Sequence, residues 1–220
     1  MAKLTTTKPA LIMLYGYPGA GKTYFARQLC DEVQAAHVQG DRIRAELFER
    51  PRYDKQENAL VMQLMNYMTS EFLNAGISVV YDMNANRAAQ RHNLRDMARK
   101  AHALPLLIWF QIDIESAFTR LSKRDRRRAD DKYAAPLDRT SFETVIGGMQ
   151  NPVSTEDYAV VSGKHVFKTQ YSAVVKRMYE IGLLSGEDMA PRMVKPGMVN
   201  LVPNIVGGRV DMTRRNITIR

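Results

Sequence analysis

Ala10-Leu11-Ile12-Met13-Leu14-Tyr15-Gly16-Tyr17-Pro18-Gly19-Ala20-Gly21-Lys22-Thr23 runs an uncharged apolar segment into a glycine-rich one and closes on Lys-Thr. Residues 10–15 read as a buried parallel strand, and apolar residues return at helical spacing over 22–34. Residues 16–23 between them fit G-x-x-x-x-G-K-[ST], in the strand, loop and helix context that gives this pattern its meaning. The physics is that of an anion cradle. Glycines let the backbone curl around a phosphate, amide N–H groups and a helix N-terminus point at it, Lys22 reaches β- and γ-oxygens, and the Thr23 hydroxyl ligates Mg²⁺. Gly16, Tyr17, Pro18, Gly19, Ala20, Gly21, Lys22 and Thr23 are therefore the expected nucleotide contacts, with ATP and Mg²⁺ as cofactors.

Outward from this loop, short apolar runs at 10–15, 35–39, 77–81, 105–112 and 158–161 alternate with amphipathic segments. The helical segments are 22–34, 56–74 (through Leu60, Leu64, Met68 and Phe72), 86–100 and 115–128. Such alternation is how a parallel sheet flanked by helices reads, which here means an α/β fold of the P-loop NTPase type. After Ser185 the texture changes, and Pro191, Pro196 and Pro203 exclude a regular helix. We expect one domain over 1–185 and an extended basic C-terminal appendage over 186–220, its last ten residues forming either a strand or a basic arm.

With 220 residues and 45% hydrophobic composition the chain can bury a sizeable core. The net charge of +9 favours an anionic partner, and from residue 191 onward six basic residues face the single acid Asp211. A nucleotide alone would meet that expectation, and nucleic acid would too. Cys30 is the only cysteine, so no intramolecular disulfide can form. His37, His92, His102 and His165 are too scattered to suggest a metal site. Residues 10–15 are too short for a signal peptide or a membrane span, which implies a cytoplasmic protein with no membrane partner.

Three further elements carry candidate chemistry, each with two readings. Asp82 ends the 77–81 run and suits a Mg²⁺ ligand or a helix N-cap. Motor-type ATPases place a glutamate next, to activate water; Met83 stands there instead, which points to transfer rather than dedicated hydrolysis. Asp41 follows the second strand, at the sheet edge where ligands bind; it can accept a hydroxyl proton, or cap a 42–49 helix with Arg44 as its ion-pair partner. The run Arg120, Lys123, Arg124, Arg126, Arg127, Arg128 reads as a lid over about 120–137 that closes guanidinium groups on the phosphates, or as a basic helix end complementing the dipole.

Together these residues resemble the P-loop kinases of the polynucleotide-kinase-like and zeta-toxin-like group, whose loop is commonly G-x-P-G-[SA]-G-K-[ST]. The resemblance covers roughly residues 11–161. Asp41-x-x-Arg44 looks like the element supplying a general base and a substrate-phosphate contact in polynucleotide 5′-hydroxyl kinases. Asp82-Met83-Asn84-Ala85-Asn86 is similar to the D-x-N-x-N of that family, and Arg120-x-x-x-Arg124 to its lid arginines. The resemblance thus implies Lys22, Asp41 and Arg124 as catalytic residues, Arg120 and Arg124 on the nucleotide, and Thr23 with Asp82 on the metal. Asp41, Arg44, Asn84 and Arg87 make up the expected acceptor contacts. The extra arginines of the lid and the 191–220 appendage depart from the family pattern.

The function expected is transfer of the γ-phosphoryl group of ATP to a hydroxyl acceptor, with polynucleotide 5′-ends and small metabolites both open. A regulatory or assembly ATPase with slow hydrolysis and a nucleic-acid-binding tail is the alternative. No Asn-Lys-x-Asp occurs, which disfavours a GTPase.

Overall fold

The computed structural model describes residues 3–83, 85–125, 127 and 131–185. The expected C-terminal appendage, Asn84, and Arg126 and Arg128 of the expected lid lie outside them. Five strands, β1 (Ala10–Tyr15), β2 (Ala35–Gln39), β3 (Ser78–Asp82), β4 (Leu104–Gln111) and β5 (Tyr158–Ser162), pair in parallel in the order β2-β3-β1-β4-β5. Every residue of β1 is buried, as expected of a strand covered on both faces. Its register sets Leu11 beside Val79 and Ile12 beside Leu106.

Alternation along β1 divides the core. Ile12 and Leu14 meet Phe25 and Leu29 of α1 (Lys22–Glu32) and Val174, Val175 and Met178 of α7 (Phe167–Glu180). Leu11, Met13 and Tyr15 face Val61, Met65 and Leu73 of α3 (Lys55–Asn74) and Leu94 and Ala98 of α4 (Ala88–Lys100). A third cluster joins Ala117 and Leu121 of α5 (Ile114–Ser122) to Phe142 of α6 (Arg139–Gly147), with Tyr17 of the glycine-rich loop packed against it. The remaining helix, α2 (Gly40–Leu47), follows β2 without a break.

Several elements differ from expectation. The buried stripe of α3 is Glu57, Val61, Met65, Thr69 and Leu73, one residue on from the predicted Leu60, Leu64, Met68 and Phe72. Leu60 is exposed. One residue is about 100° of helix rotation, and two polar side chains in the true stripe hide it from a hydrophobicity count. Helix α5 stops at Ser122 rather than 128, because residues 123–128 are all charged and offer no apolar face to bury. Helices α6 and α7 were not anticipated. Their signals were present: Asp138 caps α6 by accepting from the Ser141 amide, and Phe167, Tyr171, Val174, Val175 and Met178 lie at helical spacing.

The chain leaves β1 for β2 beyond β3 and later crosses back over β1 to β4, so strand order reverses beside β1. Ligands of open parallel sheets bind outside the carboxyl ends at such a point. The connection from α6 to β5 is held there by Arg91, whose guanidinium forms a bidentate pair with Glu156 at 2.7 and 3.0 Å. It also donates to the carbonyls of Ala85 and Gln150 and lies over the Tyr15 ring. The two side chains are 0% and 1% exposed, so removing one strands the other charge. Glu156→Ala is expected to lower unfolding free energy by about 3–5 kcal/mol in a urea titration; a loss below about 1 kcal/mol would mean that Arg91 finds water instead.

Candidate functional site

The loop between β1 and α1 is shaped by close approach. Gly19 has φ +87°, and a Cβ there would lie 2.1 Å from the carbonyl oxygen of Ala117, so α5 packs against the loop backbone itself. At the other end Gly21 is the N-cap of α1, no side chain caps that helix, and its first turn holds no acid. The amides at the start of α1 thus have neither a side-chain cap nor a first-turn carboxylate, which is the arrangement an anion would complete. Lys22 opens the helix and folds back, its Nζ donating to the carbonyls of Gly16 (2.7 Å) and Tyr17 (2.9 Å).

Asp82, the last residue of β3, is 7% exposed and receives one donor on each oxygen. Thr23 Oγ1 donates to Oδ1 at 3.3 Å, and His37 Nε2 lies 3.1 Å from Oδ2. Asp82 caps no helix, since the N-cap of α4 is Arg87. His37, one of four histidines too scattered in sequence to suggest a metal site, joins the site through this contact. Its signal was position: it stands two residues before Gln39, which pairs with Asp82 in register.

Asp41 lies in the first turn of α2, whose N-cap is Gln39, so it is not a cap either. Its neighbour Gly40 allows the approach: a Cβ on Gly40 would fall 2.9 Å from the Met65 sulfur and 3.0 Å from that of Met83. Burial raises the pKa of Asp41 and the Asp82 charge raises it further, while Arg124, Arg44 and Lys22 oppose the shift. Arg124 acts on Lys22 as well, lowering its pKa. Lys22, Asp41, Asp82 and Arg124 therefore form one electrostatic cluster at the carboxyl edge of β1, β2 and β3. Arg124 is half-buried just past α5, its Nε 3.7 Å from Asp131.

The other expected site residues stand apart. Arg44 is 3% exposed, donates to Glu57 and Asn58, and lies over the Tyr53 ring. For it to contact an acceptor, Glu57 would have to stay buried without this cation. Arg120 donates to the carbonyl of Gly163, at the carboxyl end of β5. Arg87 is exposed at the start of α4, and no hydrogen bond or ion pair among the described residues joins its side chain to the cluster.

No group of three or more His, Cys, Asp or Glu residues suited to a metal ion occurs among the described residues. A Mg²⁺ site needs no such group: it takes one or two protein oxygens and completes its shell with water and phosphate. Thr23 and Asp82, already in contact, fit that donor set. Among the described residues no helix is long and apolar enough to cross a membrane.

A family model described as an AAA domain matches residues 11–142. No curated protein matches the chain. Chaetomium thermophilum Kti12 in complex with ADP-AlF3 is 17% identical with a TM-score of 0.60, over 80% of this chain and 100% of that one. A gluconokinase from Sinorhizobium meliloti is 14% identical with a TM-score of 0.56, over 79% and 94%. A chain of the Pnkp1/Rnl/Hen1 RNA repair complex is 18% identical with a TM-score of 0.55, over 64% and 44%. At such identities the likeness is one of fold.

Burial is the main cause that brings the Lys22 pKa down to about 8. A polyphosphate beside the ammonium raises it again, so binding takes up a proton once the pH passes that value. Affinity for inorganic tripolyphosphate, measured by calorimetry, is expected to fall above pH 8 by up to about tenfold per unit. A flat profile across that range would show that Lys22 does not contact the anion.

Proposed function

Because the chain belongs to the AAA domain family, we propose that it is a P-loop kinase, an ATP-dependent phosphotransferase that moves the γ-phosphoryl group to a hydroxyl acceptor. The observation that carries this is the half-buried Asp41 carboxylate, raised in pKa and in electrostatic reach of Lys22, Asp82 and Arg124. An acid so raised is a stronger base than an exposed aspartate and suits a hydroxyl proton. Hydrolysis as an end in itself is disfavoured by Met83, whose thioether packs beside Gly40 where a water-activating carboxylate would be needed.

In this reading the loop amides and Lys22 hold the triphosphate. Mg²⁺, held by Thr23 and Asp82, would neutralise negative charge on the phosphate oxygens. His37 keeps Asp82 oriented from the other side. Asp41 takes the proton of the acceptor hydroxyl as its oxygen bonds to the γ-phosphorus and the bond to the bridging oxygen breaks. The products are ADP, the phosphorylated acceptor and a proton released from Asp41. Arg124 stabilises charge on the phosphoryl group in passage. Arg120, beside Gly163, serves the donor nucleotide, while Asn84 and Arg87, from the segment after Asp82, serve the acceptor. Residues 1–185 make up the catalytic unit and 186–220 a basic extension, in a protein of the cytoplasm.

The net charge of +9 supports an anionic acceptor. Within that class the polynucleotide 5′-hydroxyl is favoured by the joint presence of Asp41 and Arg124 and by the resemblance to the polynucleotide-kinase-like group. The fold likeness to a gluconokinase keeps small polyols in the screen. Labelled γ-phosphate should appear on a 5′-hydroxyl oligonucleotide or a metabolite; label released only as free phosphate would favour the regulatory ATPase.

Two substitutions test the assignment. Lys22→Ala is expected to lower phosphoryl transfer by at least about 100-fold, the usual cost of losing one charged transition-state contact; an unimpaired rate would remove Lys22 from the mechanism. Asp41→Asn should bind ATP near the wild-type level yet transfer it very slowly. Full turnover in that variant would leave Asp41 as a structural residue only.

A further inference from the structure

On the side of β1 away from β2, the carboxyl ends of β1, β4 and β5 enclose an open crevice of about 500 Å³ that the phosphotransfer cluster does not use. That volume lies within the range of small-ligand sites, which are mainly apolar and aromatic with a few convergent polar groups. Its floor is aromatic. Tyr15 and Trp109, neighbours in register on β1 and β4, meet edge to face at 5.9 Å, and Trp109 meets Tyr158 the same way at 6.0 Å. Trp109 is only half-buried, near the carboxyl end of β4, where its neighbours Ile108 and Phe110 are 0% and 1% exposed.

The polar groups around this floor are oriented. Asn151 accepts from the Tyr15 hydroxyl at 2.9 Å, which fixes its amide and leaves the NH₂ group to donate. Gln111 stands exposed at the end of β4 with both a donor and an acceptor. At the mouth, Lys164 pairs with Asp113 at 2.6 Å with both side chains more than half exposed, so a phosphate could recruit the ammonium. The crevice also shares a wall with the anion cradle: Gly16 and Tyr17, whose carbonyls hold the Lys22 ammonium, line it.

We propose that this crevice binds a nucleobase, stacked on Trp109 with its edge read by Asn151 and Gln111, while the attached phosphates run toward the loop. Every base offers a π face, and stacking on an aromatic side chain is the common way of holding one. The inference rests on the phosphotransferase reading for its phosphate partner. The same chemistry has two sources, the base of the ATP donor and a base of a nucleic-acid acceptor.

Trp109 is the only tryptophan in the chain, so its emission reports the crevice directly. The full chain would be titrated with Mg-ATP, with magnesium tripolyphosphate and with a 5′-hydroxyl oligonucleotide, with calorimetry alongside to register binding. A base-bearing ligand is expected to quench Trp109 saturably, and tripolyphosphate to bind without quenching. Quenching by ATP alone assigns the crevice to the donor; quenching by the oligonucleotide without ATP assigns it to the acceptor. Asn151→Ala should weaken the quenching ligand by about three- to tenfold, the loss of one hydrogen bond, and leave tripolyphosphate unaffected. If ATP or the oligonucleotide binds by calorimetry with Trp109 silent and Asn151→Ala neutral, the crevice inference falls and the phosphotransferase reading stands. Failure of ATP to bind at all would instead remove the phosphotransferase reading, leaving the oligonucleotide arm to decide the crevice.

Discussion

Strand β1 is paired on both edges and covered on both faces, and the rest of the structure is arranged by that confinement. A strand with no free edge and no free face has one register, because a slip of one residue would exchange Ile12 and Leu14 with Leu11 and Met13 between two differently shaped cores. The loop that leaves β1 is therefore delivered to one place. Gly19 against Ala117 and Tyr17 against the α5 and α6 cluster then hold its far side.

Around that fixed loop, charge is balanced rather than simply gathered. Asp82 raises the pKa of both Lys22 and Asp41, and Arg124 lowers both. Burial dominates both shifts, pushing the lysine toward its neutral form and the aspartate toward its protonated one. The consequence is a cluster whose charge balance an incoming polyphosphate would change. Thr23 and His37 fix Asp82, the member on which the others depend.

Two arginines close to this cluster do a different task. Arg44 ties α2 to the start of α3 through Glu57 and Asn58, and Arg91 ties the α6 to β5 connection to the segment after β3. Each satisfies buried oxygens that would otherwise lack donors, at the cost of needing its partner. An arginine beside a phosphate loop is thus no guide to anion binding until its hydrogen bonds have been traced. Arg124 and Arg44 look alike in sequence, and burial separates them.

Residue order alone made legible the loop, five of the seven helices found among the described residues, and all five strands to within a residue or two. These are local properties: a G-x-x-x-x-G-K-[ST] spacing, and apolar runs long enough to need two covered faces. It also placed Asp41 and Asp82 at strand ends, since residues after parallel strands share one edge of the sheet. Only tertiary structure decided which face of α3 is buried, because Glu57 enters the stripe by accepting from Arg44 of α2 and Thr69 is buried with it. It alone decided that His37 rather than any nearer residue completes the hold on Asp82, and that Arg44 turns inward. Those outcomes depend on pairwise distances across strands and helices, which periodicity and residue type do not contain.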